Sequence, residues 1–240
     1  MRVEEYSYRF AKQILQHPDY FNAWSELYWV IQNTPIFIFP GKSAKNRRLD
    51  VVQQLINVYY ERRLSVDLGW EYHPLATRIA GSGLAADFRK QFGDLVIQVE
   101  VQFGNMSRWY SDIFKFQTAY SQQLINVGVC VLPCASIANR IDSNVAQYER
   151  ALRELPSAEL SITLPILLAG LSIDEQTPIV DVSQTLFGSA NAISGKGNVM
   201  NRWRIVHGYL SGVPMNQIGI LSPTGPVLQP DESVSETEDE

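Results

Sequence analysis

The sequence is poor in the residues that bind metals through sulfur or imidazole, with two cysteines and three histidines in 240 residues. Cys130 and Cys134 have no histidine nearby, which argues against zinc-ligand spacing, and we expect Cys130 to be a small buried side chain. No apolar run approaches the roughly 20 residues that span a bilayer. The charged start MRVEEYSYRFAKQ lacks the apolar core of a signal peptide. We therefore expect a cytoplasmic protein with no membrane partner.

The composition is that of a folded chain, with 45% hydrophobic and 19% charged residues, which excludes disordered and collagen-like proteins. The net charge is −5, but six of the 25 acids lie in the last ten residues, DESVSETEDE. The rest of the chain is close to neutral, so charge neither predicts nor excludes a nucleic-acid partner. We predict a single domain over residues 1–225 and an acidic, disordered tail over residues 226–240.

Hydrophobic periodicity predicts an α/β fold. Apolar side chains that recur every three or four residues, as on one helix face, predict helices over residues 4–16, 19–32, 49–64, 109–124 and 144–155. Short β-branched or alternating runs predict strands over residues 95–103, 127–132 and 162–171, with an extended segment over 34–41. This order favours a central mixed β-sheet flanked by helices.

The most informative segment is ADFRKQFGDLVIQVEVQFGN, at residues 86–105. Because successive side chains of a strand point to opposite faces, one face of the strand is apolar and the other carries Gln98, Glu100 and Gln102. A carboxylate in so apolar a segment needs a cation, a metal ion or several hydrogen-bond donors.

A hairpin that folds back on this strand can place Asp87, thirteen residues upstream, beside Glu100. Two carboxylates and the carbonyl of Val101 are oxygen ligands that suit Mg²⁺, and such an ion promotes phosphodiester hydrolysis. Glu71, which we expect near the end of the preceding helix, could complete the acidic cluster. Asp94 is a rival ligand, since it lies six residues before Glu100 on the same strand face.

The simpler alternative is that Glu100 only forms an ion pair with an arginine or a lysine at a sheet edge. Structural ion pairs of that kind are common, and the pattern of residues does not distinguish them from a metal site.

The segment ADFRK…LVIQVEVQFGN resembles the active-site hairpin of the BglII-type restriction endonucleases, within the PD-(D/E)xK nuclease superfamily. The superfamily usually has Asp followed by Glu-x-Lys, whereas the BglII type has Glu-Val-Gln-Phe with Asn two residues later, as residues 100–105 do here. The likeness continues through SDIFKFQ, NVGVCVLP, SNVAQYERAL and LLAGL. It covers roughly residues 65–172, within a catalytic core that we place at about residues 49–172.

The resemblance implies a PD-(D/E)xK nuclease core and a type II restriction endonuclease. Such an enzyme cleaves double-stranded DNA at a short palindrome as a Mg²⁺-dependent homodimer and leaves 5′-phosphate ends. It implies that Asp87 and Glu100 bind the metal, and that Gln102, in the place of the usual lysine, orients water or a phosphate oxygen. A cognate DNA methyltransferase is expected in the same system, though not as a stable partner.

The candidates for DNA contacts lie in three segments and share the donors and acceptors that base edges and phosphates require. They are Asn105, Asn139, Arg140, Asp142, Ser143, Asn144, Asn201, Arg202 and Arg204. The resemblance places Asn105 against DNA and makes residues 135–147 a recognition loop. Asn105 could equally be a turn residue after Gly104, and Ser143 could be the N-cap of the following helix.

Two other functions remain open from the sequence. One is a different PD-(D/E)xK nuclease, for DNA repair or a mobile element. The other is a DNA-binding protein that has lost catalysis, since Gln102 stands where most of the superfamily has lysine.

Overall fold

The computed structural model describes residues 1–159 and 161–228. The strands are β1 (Arg2–Tyr8), β2 (Ile36–Ile38), β3 (Glu71–Tyr72), β4 (Phe88–Phe92), β5 (Leu95–Val101), β6 (Val127–Pro133), β7 (Ile166–Ser172) and β8 (Ile179–Asp181). The α-helices are α1 (Ala11–Leu15), α2 (Phe21–Gln32), α3 (Gln53–Tyr60), α4 (Met106–Ser121), α5 (Ala135–Ala138), α6 (Tyr148–Glu154), α7 (Asn191–Ser194) and α8 (Val199–Leu210). A π-helical segment, Glu61–Asp67, continues α3, and short 3₁₀ turns lie at Pro18–Tyr20, Leu155–Ala158, Val182–Gln184 and Met215–Gln217.

Six strands form one mixed sheet in the order β1-β7-β6-β5-β4-β3. The central strands β5, β6 and β7 are parallel, and the pairs β1–β7, β4–β5 and β3–β4 are antiparallel. The strands β2 and β8 form a separate parallel pair. The α/β fold with a mixed central sheet is therefore confirmed.

Helices cover both faces of the sheet. On one face, Ile97, Val99 and Val129 join the core cluster that includes residues of α1, α2 and α3. On the other face, Cys130 and Leu132 pack in a second cluster with α4 and α6. Cys130 is fully buried, as its apolar surroundings in the sequence predict. The polar face of β5 lies on the α4 side, which places Gln98, Glu100 and Gln102 away from the first core.

The prediction of a helix over residues 4–16 is wrong at its start. Residues 2–8 form β1, which pairs along its whole length with β7, and the helix is confined to Ala11–Leu15. The apolar strand β7 would otherwise end the sheet with unpaired backbone groups, and pairing with β1 satisfies them. This tertiary contact outweighs the helical spacing of the side chains.

Other predicted boundaries also shift. The last predicted helix begins at Tyr148 rather than residue 144, because residues 144–146 bond to the backbone of residues 104–106. The strand predicted from residue 162 begins at Ile166.

The C-terminal boundary of the packed chain lies beyond the predicted one. Val227 and Leu228 pack against the first core, although the tail is predicted from residue 226. Residues 229–240 lie outside the described residues, so the acidic tail there stays a prediction.

Candidate active site

The hairpin of β4 and β5 brings Asp87 and Glu100 together. Phe88 pairs with Val99 in the antiparallel register, so the next two residues outward are Asp87 and Glu100. The Asp87 backbone N–H donates to Oε2 of Glu100 at 3.3 Å, and the Val101 backbone N–H donates to Oδ2 of Asp87 at 2.7 Å. The two acids and Val101 are thus held in one hydrogen-bonded unit at the end of β5.

Glu100 is fully buried, and its carboxylate has partners on both sides. Nε2 of Gln98 donates to Oε1 at 2.9 Å, and Nζ of Lys115 donates to Oε2 at 3.2 Å. Burial, with the nearby charges of Asp87 and Asp112, raises the pKa of Glu100 well above its ordinary value, and Lys115 opposes this. The cation partner foreseen in the simpler alternative is therefore present, but in the interior rather than at a sheet edge.

The helix α4 supplies two further groups to this site. Asp112 is 3% exposed and accepts hydrogen bonds from Nε2 of Gln102 at 2.6 Å and from Nζ of Lys115 at 3.1 Å. Burial raises the pKa of Asp112 to about 6. Burial alone would lower the pKa of Lys115, but the charges of Glu100, Asp112 and Asp87 raise it. Lys115 is thus a stable cation among three acids.

Gln102 is held at both ends of its amide. Its Oε1 accepts from the Gly104 backbone N–H at 2.8 Å, and its Nε2 donates to Asp112. An amide has two donor hydrogens and a carbonyl oxygen with two lone pairs, so each end keeps one hydrogen-bonding position for a further partner.

These groups border a cavity of about 810 Å³. Asp87, Val101, Gln102, Asp112 and Lys115 line it, together with Asn57 of α3, Glu61 of the π-helical segment, and Val199 and Arg202 of α8. Lys115 borders the cavity, whereas the side chain of Glu100 behind it has no exposed surface. A cleft lined by acids and cations can hold a phosphate together with a divalent cation.

The donor set fits Mg²⁺. Asp87 and Glu100 offer hard carboxylate oxygens, held together by the hydrogen bonds of Asp87 N–H to Glu100 and of Val101 N–H to Asp87. Among the described residues, no three acidic, histidine or cysteine side chains form a complete metal cluster. Mg²⁺ is commonly held by one or two carboxylates with water and substrate phosphates, so two acids suffice.

Glu71 does not join this site. It lies on the edge strand β3 rather than on a helix, is exposed, and pairs across the sheet with Arg89. A second helix-borne acid besides Asp112 borders the cavity, namely Glu61 at the start of the π-helical segment. Spacing in the sequence did not reveal Glu61, because which face of a helix meets the cleft depends on packing.

Asp94 is also placed away from the cavity. It is exposed in the turn between β4 and β5, at the opposite end of β5 from Glu100. Six residues of a strand span about 20 Å, so the two carboxylates cannot share an ion.

Asn105 and the predicted recognition loop lie side by side. Asn105 forms a bridge with Val145, and the Met106 N–H donates to the carbonyl of Asn144 at 3.0 Å. The side chain of Asn105 caps α4, since its Oδ1 accepts from the backbone of Ser107 at 2.8 Å. Ser143 does not cap α6, because that helix begins at Tyr148.

The remaining loop residues differ in how they are engaged. Arg140 forms a bidentate ion pair with Asp50 through Nε and Nη2, at 2.8 and 2.7 Å. The side chains of Asn139, Asp142, Ser143 and Asn144 are exposed.

The C-terminal candidates separate into two groups. Arg202 borders the cavity. Asn201 donates to the carbonyl of Ala192, and Arg204 donates to Asn201 and to the carbonyl of Ser222. Asn201 and Arg204 are therefore held by contacts within the C-terminal region, and Nη1 of Arg202 also donates to the carbonyls of Ile193 and Gly195 there, each at 3.4 Å.

Lys115 and Asp112 were not among the candidates taken from the sequence. The sequence pattern that points to them is an acid and a lysine three residues apart in SDIFKFQ, a spacing that places both on one helix face. That spacing becomes informative only when α4 is known to pack over the polar face of β5.

The mixed sheet, with an acidic pair at the end of a β-hairpin beside a cleft, agrees with the nuclease arrangement that the resemblance of the sequence leads us to expect. The family model for restriction endonuclease BglII/BglIII matches residues 3–171. The chain belongs to this family and is a type II site-specific nuclease.

Two solved structures share the fold. The crystal structure of restriction endonuclease BglII complexed with a DNA 16-mer has a TM-score of 0.60, with 20% identity over 74% of this chain and 81% of that one. The structure of free BglII gives a TM-score of 0.51, with 20% identity over 74% of this chain and 82% of that one. No curated protein sequence matches the chain. None of the described helices is long and apolar enough to cross a membrane.

Proposed function

We propose that the protein cleaves double-stranded DNA at a short palindrome, with Mg²⁺ held by Asp87, Glu100 and the carbonyl of Val101. The observation that carries this proposal is the hydrogen-bonded unit of Asp87 and Glu100 at a cleft, in a chain of a restriction endonuclease family. When bound, the ion polarises a phosphate and lowers the pKa of a coordinated water.

The reaction is hydrolysis of a phosphodiester. A water oxygen bonds to phosphorus and releases a proton to solvent, while the P–O3′ bond breaks and O3′ takes a proton. The products are a 5′-phosphate and a 3′-hydroxyl. Gln102 orients the water or a phosphate oxygen through the hydrogen-bonding positions that Asp112 and Gly104 leave unused.

DNA recognition is assigned to the rim of the cleft. Asn105 keeps its amide hydrogens for a base while its oxygen caps α4, and Nη1 of Arg140 stays available while Asp50 holds the other two nitrogens. Arg202, which also borders the cavity, suits a phosphate contact. The exposed side chains of Asn139, Asp142, Ser143 and Asn144 complete the recognition loop.

The working unit is a homodimer, because a palindrome presents two equivalent strands related by a two-fold axis. A restriction enzyme acts on DNA in the cytoplasm, where a cognate methyltransferase protects the host sites without forming a stable complex.

The second candidate is a DNA-binding protein without cleavage. The Glu100–Lys115 ion pair favours this candidate, since Lys115 already neutralises the carboxylate that would bind the metal.

The test is digestion of a plasmid library with purified protein and Mg²⁺, followed by sequencing of the ends. Restriction predicts discrete ends at one palindrome with 5′-phosphates, whereas random nicks or structure-dependent cuts indicate another nuclease. DNA that the protein binds but does not cut would favour the second candidate, a DNA-binding protein without cleavage.

Site variants give the matched control. Asp87→Ala and Glu100→Ala should abolish cleavage and keep DNA binding in Ca²⁺, whereas Asp94→Ala, which removes an exposed acid of the same hairpin, should cleave normally. Robust cleavage by either of the first two variants would refute the metal site.

A further inference from the structure

A row of polar groups crosses the space between β5 and α4. Lys115 donates to Oε2 of Glu100 at 3.2 Å and to Oδ1 of Asp112 at 3.1 Å, and Asp112 also accepts from Gln102. Since Asp112 is 3% exposed and bonds both side chains, it fixes the position of Lys115 relative to Gln102.

Lys115 is the member of this row that reaches the cavity with a positive charge. Its side chain is 17% exposed and borders the cavity, while the side chain of Glu100 behind it is fully buried. An ammonium group has three donor hydrogens, and Glu100 and Asp112 take two of them. The third is available for a group in the cavity.

We propose that Lys115 is a catalytic residue that binds the scissile phosphate, and that Asp112 is a positioning residue for Lys115 and Gln102. This inference rests on the proposed function. In the structure the ammonium group pairs with Glu100. A divalent cation held by Glu100 would supply that positive charge instead and would leave the ammonium group to stabilise the negative charge on the phosphate. No covalent bond to Lys115 forms or breaks.

This assignment explains how the site works with glutamine at position 102. An amide can orient water or an oxygen, but it carries no charge to stabilise a pentacoordinate phosphorus transition state. Lys115 of α4 then supplies the cation. The hydrogen bonds that Asp112 accepts from Lys115 and Gln102 keep these two side chains next to each other at the cavity.

The test compares Lys115→Met and Lys115→Arg with wild type. We expect single-turnover cleavage of supercoiled plasmid by Lys115→Met to fall about 100-fold or more, and Lys115→Arg to recover most of the rate. The matched control is Lys90→Met, since Lys90 is a half-buried lysine paired with Glu26 at 2.7 Å outside the cavity. This control should cleave at the wild-type rate.

A second readout separates a catalytic from a structural role. Calorimetric titration of the DNA-free proteins with Mn²⁺ should show binding to Lys115→Met that is at least about fivefold tighter than to wild type. The reason is that the positive charge of Lys115, which repels the ion, no longer lies beside Glu100. Cleavage at the wild-type rate, or weaker Mn²⁺ binding by Lys115→Met, would overturn the inference while leaving the proposed function intact. A wild-type protein that never cuts DNA would instead overturn the proposed function and this inference with it.

Discussion

At the scale of single residues, the site consists of buried acids that share one cation. Glu100 and Asp112 are almost without solvent contact and share one ammonium group, that of Lys115. Removing one partner from a buried ionic group is costly, because the remaining charge is left without compensation. We therefore expect loss of Lys115 to leave both acids without their shared cation.

The pKa of Asp112 predicts a pH dependence of stability. Its folded value of about 6 lies above its ordinary 3.8, so the fold gains stability from this carboxyl below pH 4 and loses it as the pH rises to about 6. Lys115, Asp87 and Gln102 face the group, and they are unchanged in Asp112→Asn. We expect the Tm of Asp112→Asn to fall less than that of wild type between pH 4 and 7. Parallel Tm curves would contradict this pKa.

Asn105 has two assigned roles that one substitution can separate. Asn105→Asp keeps the oxygen that caps α4 but loses the amide hydrogens available to a base. We expect its Tm to stay near that of wild type while sequence-specific DNA binding in Ca²⁺ weakens. Asn105→Ala, the companion variant, should also lose about 1 kcal/mol of stability. Equal binding by Asn105→Asp and wild type would show that Asn105 only caps the helix.

At the scale of elements, the position of α4 determines whether Asp112 and Lys115 reach Gln102 and Glu100. The helix lies close to the sheet because Gly128 on β6 has no side chain, and a Cβ there would come within 2.9 Å of the Phe116 ring. Phe116 is one turn of α4 beyond Asp112 and directly follows Lys115. A shift of this helix therefore moves Asp112 and Lys115 relative to Glu100.

Gly128→Ala tests this dependence. We expect a loss of about 1–3 kcal/mol of stability, measured by denaturant unfolding, and a slower single-turnover cleavage. Gly170→Ala is the matched control, since a Cβ at Gly170 on β7 meets the Tyr148 ring of α6, which carries none of the catalytic candidates. It should destabilise the protein while the folded fraction cleaves at the wild-type rate. Equal rates for both variants would contradict a role of α4 in alignment.

The sequence predicts those elements whose pattern is local. The alternation along residues 95–103 places Gln98, Glu100 and Gln102 on one face, and the structure has them together beneath α4. The strand β1 was missed because its pairing with β7, more than 150 residues away, outweighs its local pattern. Lys115 was missed for a related reason, since only packing shows which face of α4 meets β5.

At the scale of the whole molecule, the cleft lies between two parts of the chain. The hairpin end of the sheet and α4 line it, and so do residues of α3 and α8. Leu228 also borders the cleft, so the chain after α8 contributes to its shape. In the proposed function, the DNA backbone would approach Asp87 from this cleft.

Two truncations test where the C-terminal contribution ends. A chain that stops after Leu228 should keep the Tm and the digestion pattern of wild type. A chain that stops after Pro226 also loses Val227 and Leu228, which pack on the core, and its Tm should be lower. A large drop in Tm for the chain that stops after Leu228 would show that residues 229–240 are not the tail that we predict.

The most direct measurement is the anomalous scattering of Mn²⁺ in crystals of the protein with its duplex. We predict a peak bonded to carboxylate oxygens of both Asp87 and Glu100 and adjacent to a DNA phosphate, with Lys115 no longer paired with Glu100. A Mn²⁺ peak away from Asp87 and Glu100 would contradict the account. So would a complex that cleaves DNA with no peak at this pair and with Lys115 still paired with Glu100.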